Sequence, residues 1–271
     1  MGKEVMSLHK YLEIAKIHLK DQLVWRTDVA LNIFFTISKI IFAYLLWGII
    51  FGEREIVNGF TFYGMMSYYI VSTFLNQLEK SESVSGEINR QIRSGTFSKY
   101  MVVPINIEGY FLAMEFGMVL FYTIFDFLAG AVWIGIFKIK FEFTTNLFVI
   151  FCAILMVVIG IIFMVQLNYY LGILTLKYQG IGTFLMIKNN LISLVTGSII
   201  PLVLFPDSIV KIMRFLPFYY ITYLPSMLLV GYCEEEAIQG IVIILIWCAV
   251  IQLVIKYTWN KYARKYEGVG I

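Results

Sequence analysis

Few side chains in this sequence could do chemistry. Lys39, Glu115, Asp126 and Lys188 each interrupt a long apolar run. An ionised group at the centre of a bilayer costs at least ~2.5–3.5 kcal/mol on insertion scales, so such residues turn toward protein and find partners. Two uses suit them: a polar lining for a translocation pathway, or structural pairing between helices. Glu115 and Lys188 each lie seven or eight residues into a run that starts on the same side, and their opposite signs at matched depth favour pairing. Lys39 sits near mid-membrane and reaches toward Asp126, which stands several ångströms further out. Acid–base catalysis does not suit them. Glu115 and Asp126 are eleven residues apart on one helical face, about 16 Å in height, too far for a carboxylate dyad. Both histidines, His9 and His18, precede the first apolar run, so none can serve a membrane-embedded serine as base. Cys152, Cys233 and Cys248 have no short spacing and read as buried thiols, with no metal site. Neither G-x-x-x-x-G-K-[ST] nor H-E-x-x-H occurs, so no ATP-binding loop and no catalytic residue is expected in this chain.

The elements that must hold those charges are membrane helices. Of 271 residues, 60% are apolar, 17% aromatic and 14% charged, with a mean hydropathy of +0.80. Soluble domains average roughly 45–50% apolar and about 25% charged. An ordinary soluble enzyme, a disulfide-rich secreted module and a disordered or nucleic-acid-binding chain are all excluded. A span needs about 20 mostly apolar residues. Six runs qualify: Val29–Phe51, Ile56–Leu78, Ile107–Phe137, Phe143–Leu176 (spanning over about 147–176), Ile181–Pro206 and Ala237–Ile255 (about 237–256). The piece between the last two, 207–233, carries or follows Pro201, Pro206, Pro217 and Pro225. Proline removes a donor and clashes with the preceding turn, so this piece is expected to form a re-entrant or interfacial hairpin of broken helices on the outer side.

Charge counting supports six spans. One side receives fourteen Lys and Arg (among them Lys3, Lys10, Arg90, Arg93, Lys177, Lys261 and Lys265), and the other five, Arg54, Lys138, Lys140, Lys211 and Arg214. Basic loops stay cytoplasmic, which places both termini inside. Residues 1–28 lack the continuous apolar core of a cleavable signal. They read as an amphipathic helix with Leu8, Tyr11, Leu12, Ala15, Leu19 and Leu23 on one face, lying on the cytoplasmic surface or packed against the chain's own cytoplasmic ends. Gly48-x-x-x-Gly52 and Ala113-x-x-x-Gly117 are small-residue pairs that let helices approach closely. Tyrosines and tryptophans near span ends, such as Trp47, Tyr63, Tyr219 and Trp259, act as interfacial anchors. The fold expected is all-α: a polytopic membrane protein forming a single permease domain over 1–271.

The cytoplasmic segment 79–106 is the most informative stretch. Val84, Ile88 and Ile92 recur every four residues as a narrow apolar stripe. Glu87, Asn89, Arg90 and Arg93 occupy the remaining surface, and Gly95 suits a left-handed helix cap. The helix either lies across a partner or rests on the membrane surface as a solvated turn. The run from Gly86 through Glu87, Ile88, Arg90, Gln91, Ile92, Arg93 and Gly95 to Phe97, followed by Pro104 and a long third span, resembles permeases of type-2 ATP-binding-cassette (ABC) exporters, most closely the small bacterial six-span kind. The resemblance extends to the N-terminal helix, the proline-broken outer segment and the tail, 257–271. It implies that Val84, Ile88 and Ile92 form an apolar knob of a coupling helix, with Glu87, Arg90, Gln91 and Arg93 orienting it on an ATPase. It also implies two copies of that ATPase, which would hold ATP and Mg, and a second permease, similar or identical. It places the chain in a bacterial plasma membrane, with no cofactor of its own and no nucleic acid.

A gradient-driven secondary transporter is the competing reading. Many such folds carry broken helices in both halves, whereas the prolines here cluster in the second half. A lipid-modifying enzyme is disfavoured by the missing histidines and acidic motifs.

Overall fold

The computed structural model describes residues 2–24, 26–103, 105–137, 140–178, 180–196 and 202–262. Pro104, Lys138, Pro201 and the tail beyond Tyr262 lie outside them, as does the side chain of Asp126. In chain order come α1 (Gly2–Gln22), α2 (Arg26–Phe51), a hairpin of β1 (Ile56–Val57) and β2 (Phe60–Thr61), and α3 (Phe62–Leu78). Then follow α4 (Glu82–Arg93), α5 (Ser98–Val102), α6 (Ile107–Phe137), α7 (Leu147–Ile173), α8 (Gly182–Val195), α9 (Asp207–Met213), α10 (Tyr223–Val230) and α11 (Ala237–Tyr262).

Among the described residues, four helical stretches are long and apolar enough to cross a membrane: Phe34–Phe51, Ile107–Phe125, Leu147–Leu176 and Glu234–Tyr262. The run 56–78 is divided. Asn58 and Gly59 take left-handed φ of 50° and 82° between the paired strands, the two-residue turn that favours Asn-Gly. Thr61 then caps α3, its hydroxyl accepting from Gly64 N at 2.9 Å, which leaves a helix of 17 residues. The helix of the fifth run, α8, has 14.

The long apolar helix α7 is the hub, touching α4, α6, α10 and α11. The proline-rich piece breaks as expected. Pro217 opens a single 3-10 turn, Pro217–Tyr220, and Pro225 sits in the first turn of α10, where no intrahelical donor is lost. This broken segment is buried against α3, α7 and α11, with Tyr219, Leu224 and Ser226 at most 1% exposed. Its polar groups are met internally: Ser226 Oγ donates to Thr222 O at 2.6 Å, and Tyr220 Oη to Arg214 O at 2.7 Å.

The N-terminal helix does not lie free. Tyr11, Ala15 and Leu19 face α6, while Leu12 and Leu23, expected on the same face, remain exposed. The cause is a small-residue stripe, Gly109, Ala113 and Gly117, that admits the α1 backbone. A Cβ at Gly109 would stand 3.0 Å from the Tyr11 ring, and one at Gly117 would overlap the Ala15 carbonyl. The other small pair behaves differently. Gly48 has open space around it, and Gly52 ends α2 with φ +51°, so it serves a turn and no helix contact.

Gly117→Val is expected to cost about 1–3 kcal/mol by overpacking, seen as a lower unfolding temperature and faster amide exchange across α1. Gly48→Ala should lower neither. Equal behaviour of the two variants would contradict the α1–α6 contact.

Candidate functional site: the α4 elbow and its polar anchor

The elbow between α3 and α6 is built around α4, twelve residues with Glu82 in the first turn and Arg90 and Arg93 in the last, the polarity that the helix dipole favours. Gly95 ends it with φ +73°. Behind that cap, Thr96 N and Phe97 N both donate to Gln91 O at 3.0 Å, and Phe97 is fully buried. The expected left-handed stop is therefore present.

The apolar stripe points inward. Val84, Ile88 and Ile92 are each 0% exposed, against α7 and the turn after it. Gly172 on α7 makes the room, since a Cβ there would stand 2.8 Å from Ile88 Cβ. The stripe expected as a knob for a companion thus docks onto this chain itself, because α7 offers an apolar groove at that height. Gln91 is buried too, donating to Glu87 Oε1 at 2.6 Å. What faces outward is Ser83, Gly86, Arg90 and Arg93, with Glu87 half-buried beside them. Arg90 Nε donates to Glu87 Oε2 at 3.1 Å. Burial acts to raise the Glu87 carboxyl, but hydrogen bonds from Gln91 and Arg90 and the charges of Arg90 and Lys99 hold it below the usual carboxylate range. The stability it lends is full above pH ~4.3, its ordinary value, and is lost only as pH falls through the lowered one.

Beneath the elbow, residues 79–82 gather polar groups from three helices. Lys188 of α8, 6% exposed, donates from Nζ to Asn168 Oδ1 of α7 at 2.8 Å. Asn168 Nδ2 donates to Ser81 Oγ at 2.7 Å, and Ser81 Oγ donates to Glu79 Oε1. Lysine and carboxylate are thus joined through an amide and a hydroxyl, all donors pointing the same way. Glu115 of α6, fully buried, accepts from Lys80 N at 2.7 Å, and its Oε2 has no hydrogen-bond partner among the described residues. Asn189 Nδ2 of α8 reaches Glu82 Oε1 at 2.9 Å, and Thr175 Oγ1 reaches Asn89 Oδ1 at 3.1 Å.

The expected Glu115–Lys188 pair does not form. Equal depth does not place two side chains on facing sides of their helices: Glu115 finds the 79–82 turn, and Lys188 finds Asn168 of α7 instead. Lys39 is exposed, on a polar recess of about 210 Å³ shared with Thr36, Asn76, Gln77 and Lys80. Spacing does not mark Ser81, Gly172 or Asn168. The usable signal is compositional: Gln166 and Asn168 are side-chain amides in an otherwise apolar stretch, which calls for interhelical partners. Gln166 finds Gln252 of α11 at 2.9 Å.

Residues 36–270 match the family described as ABC-2 family transporter protein. With most of its length matched, the chain belongs to that family, the type-2 ABC permeases. No curated protein gives a significant match. Members are the membrane component of such transporters and not the ATPase, so the chain is a multi-pass membrane protein that works with an ATPase partner.

Asn168→Leu alone should cost about 3–5 kcal/mol, because it strands Lys188 as a buried charge. Adding Lys188→Met should restore most of that loss in unfolding measurements. A double variant as unstable as the single one would remove Asn168 as the partner of Lys188.

Proposed function

We propose that this chain is the pore-forming permease of an ATP-driven exporter, with six spans and both termini cytoplasmic, in a bacterial plasma membrane. It pairs with a second permease, similar or identical, and with two copies of a separate ATPase that holds ATP and Mg. The observation that carries this reading is the two-sided construction of α4. Its outward face is polar and basic, open to a partner; its inward face packs on α7, and the 79–82 turn that leads into it is bonded to α6, α7 and α8.

The mechanism follows from that construction. A partner that moves on ATP binding grips Arg90 and Arg93 on the exposed face and displaces α4. The helix cannot slide over its support, because Ile88 is seated against Gly172. It cannot tilt away from the membrane, because Ser81 is tied through Asn168 to Lys188. Displacement of α4 therefore becomes displacement of α7 and α8, and the spans rock between inward-open and outward-open arrangements. The residues named as coupling candidates divide into two roles: Val84, Ile88, Gln91, Ile92 and Gly95 hold α4 to this chain, while Arg90, Arg93 and Glu87 meet the ATPase.

Isolation of the complex through a tag on this chain should yield a stoichiometric ATPase. Arg90→Gln with Arg93→Gln should cut ATPase retention and transport at least tenfold, with only the small fall in unfolding temperature that losing the Arg90–Glu87 pair and the helix-dipole contacts brings. Undiminished ATP-dependent transport by that variant would overturn the role of the basic face. Sodium- or proton-coupled uptake by the isolated chain would replace the reading with a gradient-driven transporter.

A further inference from the structure

At the end of the molecule remote from α4, a groove of about 720 Å³ opens between α9, the turn that follows it, and the first half of α11. The ends of α11 are distinguished by Trp259, whose ring stands 6.2 Å from Phe97 beside α4; the groove lies at the opposite end, from Glu236 to Val250. Its volume is in the range of about 300–1,000 Å³ usual for ligand sites.

The lining is divided along its length. Lys211, Arg214 and Gln239 stand at the mouth, and Phe215, Ile243, Ile246, Trp247 and Val250 line the remainder. Trp247 Nε1 donates to Phe215 O at 3.1 Å, which turns the indole's polar edge toward backbone. Arg214 is paired with Glu236 at 2.8 Å. Glu234 is occupied by Thr144 Oγ1 and Asn146 Nδ2, while Asp207 and Glu235 are exposed nearby. Lys211 is exposed and makes no ion pair among the described residues. From Gln239 to Val250, eleven residues of helix rise about 17 Å, against about 15 Å for half of a ~30 Å hydrocarbon core. The groove is therefore about one leaflet long and apolar along its wall, with the exposed Lys211 ammonium at the α9 end.

We propose that this groove holds an anionic phospholipid from the half of the bilayer remote from α4, its acyl chain along Ile243, Trp247 and Val250 and its headgroup on Lys211. The ammonium supplies a charge-assisted hydrogen bond to phosphate. Gln239 adds an uncharged donor at the same level. Arg214 and Glu236 offset each other, so among the groove's lining residues Lys211 carries the net positive charge and sets the preference for an anionic over a zwitterionic lipid. The proposal rests on α11 crossing the membrane and not on ATP-driven transport.

The test is native mass spectrometry of the full-length protein in mild detergent, with phosphatidylglycerol and phosphatidylcholine added together. Wild type should retain phosphatidylglycerol at least fivefold over phosphatidylcholine. Lys211→Glu should abolish that preference. Val250→Trp, which fills the apolar end, should reduce phosphatidylglycerol retention severalfold at an unchanged unfolding temperature. Millimolar glycerol phosphate should displace nothing. Equal retention of both lipids, with neither variant altering it, would overturn the proposal. Displacement by glycerol phosphate would replace it with a site for a soluble anion. A change of oligomeric state in Val250→Trp, with lipid retention intact, would mean that protein covers the groove.

Discussion

A hydrocarbon solvent offers no partner to a polar group, and this requirement organises the structure from the turn at residues 79–82 outward. Lys188 is charged, 6% exposed and carried on a helix of 14 residues. Its charge is met by Glu79 through Asn168 and Ser81, with the donors aligned head to tail. Hydrogen bonds in such a chain polarise one another, strengthening each by about 10–30%. Lys188 lies on α8, Asn168 on α7, and Ser81 and Glu79 in the turn before α4, so satisfying one lysine fixes the positions of α7, α8 and the start of α4 together.

The same requirement explains how the proline-broken segment is tolerated. Pro217 and Pro225 each fall in the first turn of a short helical piece, and the irregular backbone around such pieces survives at membrane depth only where protein covers it. Here the cover is α3, α7 and α11. The segment in turn fills the space between those helices with large buried side chains, Tyr219 and Leu224 among them. Gly240 lets α11 come close, since a Cβ there would stand 2.7 Å from both Leu224 and Met156. Irregular backbone and tight helix packing are thus one arrangement, centred on α7.

Much of this was legible in the sequence, because helix periodicity and caps are local. The stop at Gly95, the breaks at Pro217 and Pro225 and the amphipathic character of α4 all follow from neighbouring residues. What was not legible concerns rotation about helix axes. Glu115 and Lys188 lie at matched depth, yet depth says nothing about azimuth: Glu115 turns toward residues 79–82 and Lys188 toward Asn168. Amphipathicity states that Val84, Ile88 and Ile92 seek apolar cover but does not say whose, and α7 supplies it through Gly172. The α1 helix shows the same ambiguity: Gly109 and Gly117 on a distant helix select which of its faces is covered. The Asn58–Gly59 turn is a local signal, concealed because apolar strands and an apolar helix read as one continuous run.

The arrangement of α4 also separates affinity from transmission. An apolar knob offered to a partner would have to leave the partner's groove and re-enter it whenever the two separated, exposing Ile88 and Ile92 to water each time. Burial is worth about 25 cal/mol per Å² of apolar surface, so keeping those side chains permanently within this chain makes the link between α4 and the membrane helices independent of the partner's state. On the proposed coupling role, the contact with the ATPase is then left to Arg90, Arg93 and the half-buried Glu87. Charged contacts of that kind contribute more to orientation and partner choice than to raw affinity. A basic rim fixed to a rigid support can release and re-engage without the support unravelling, which is what a helix that transmits motion between two proteins requires.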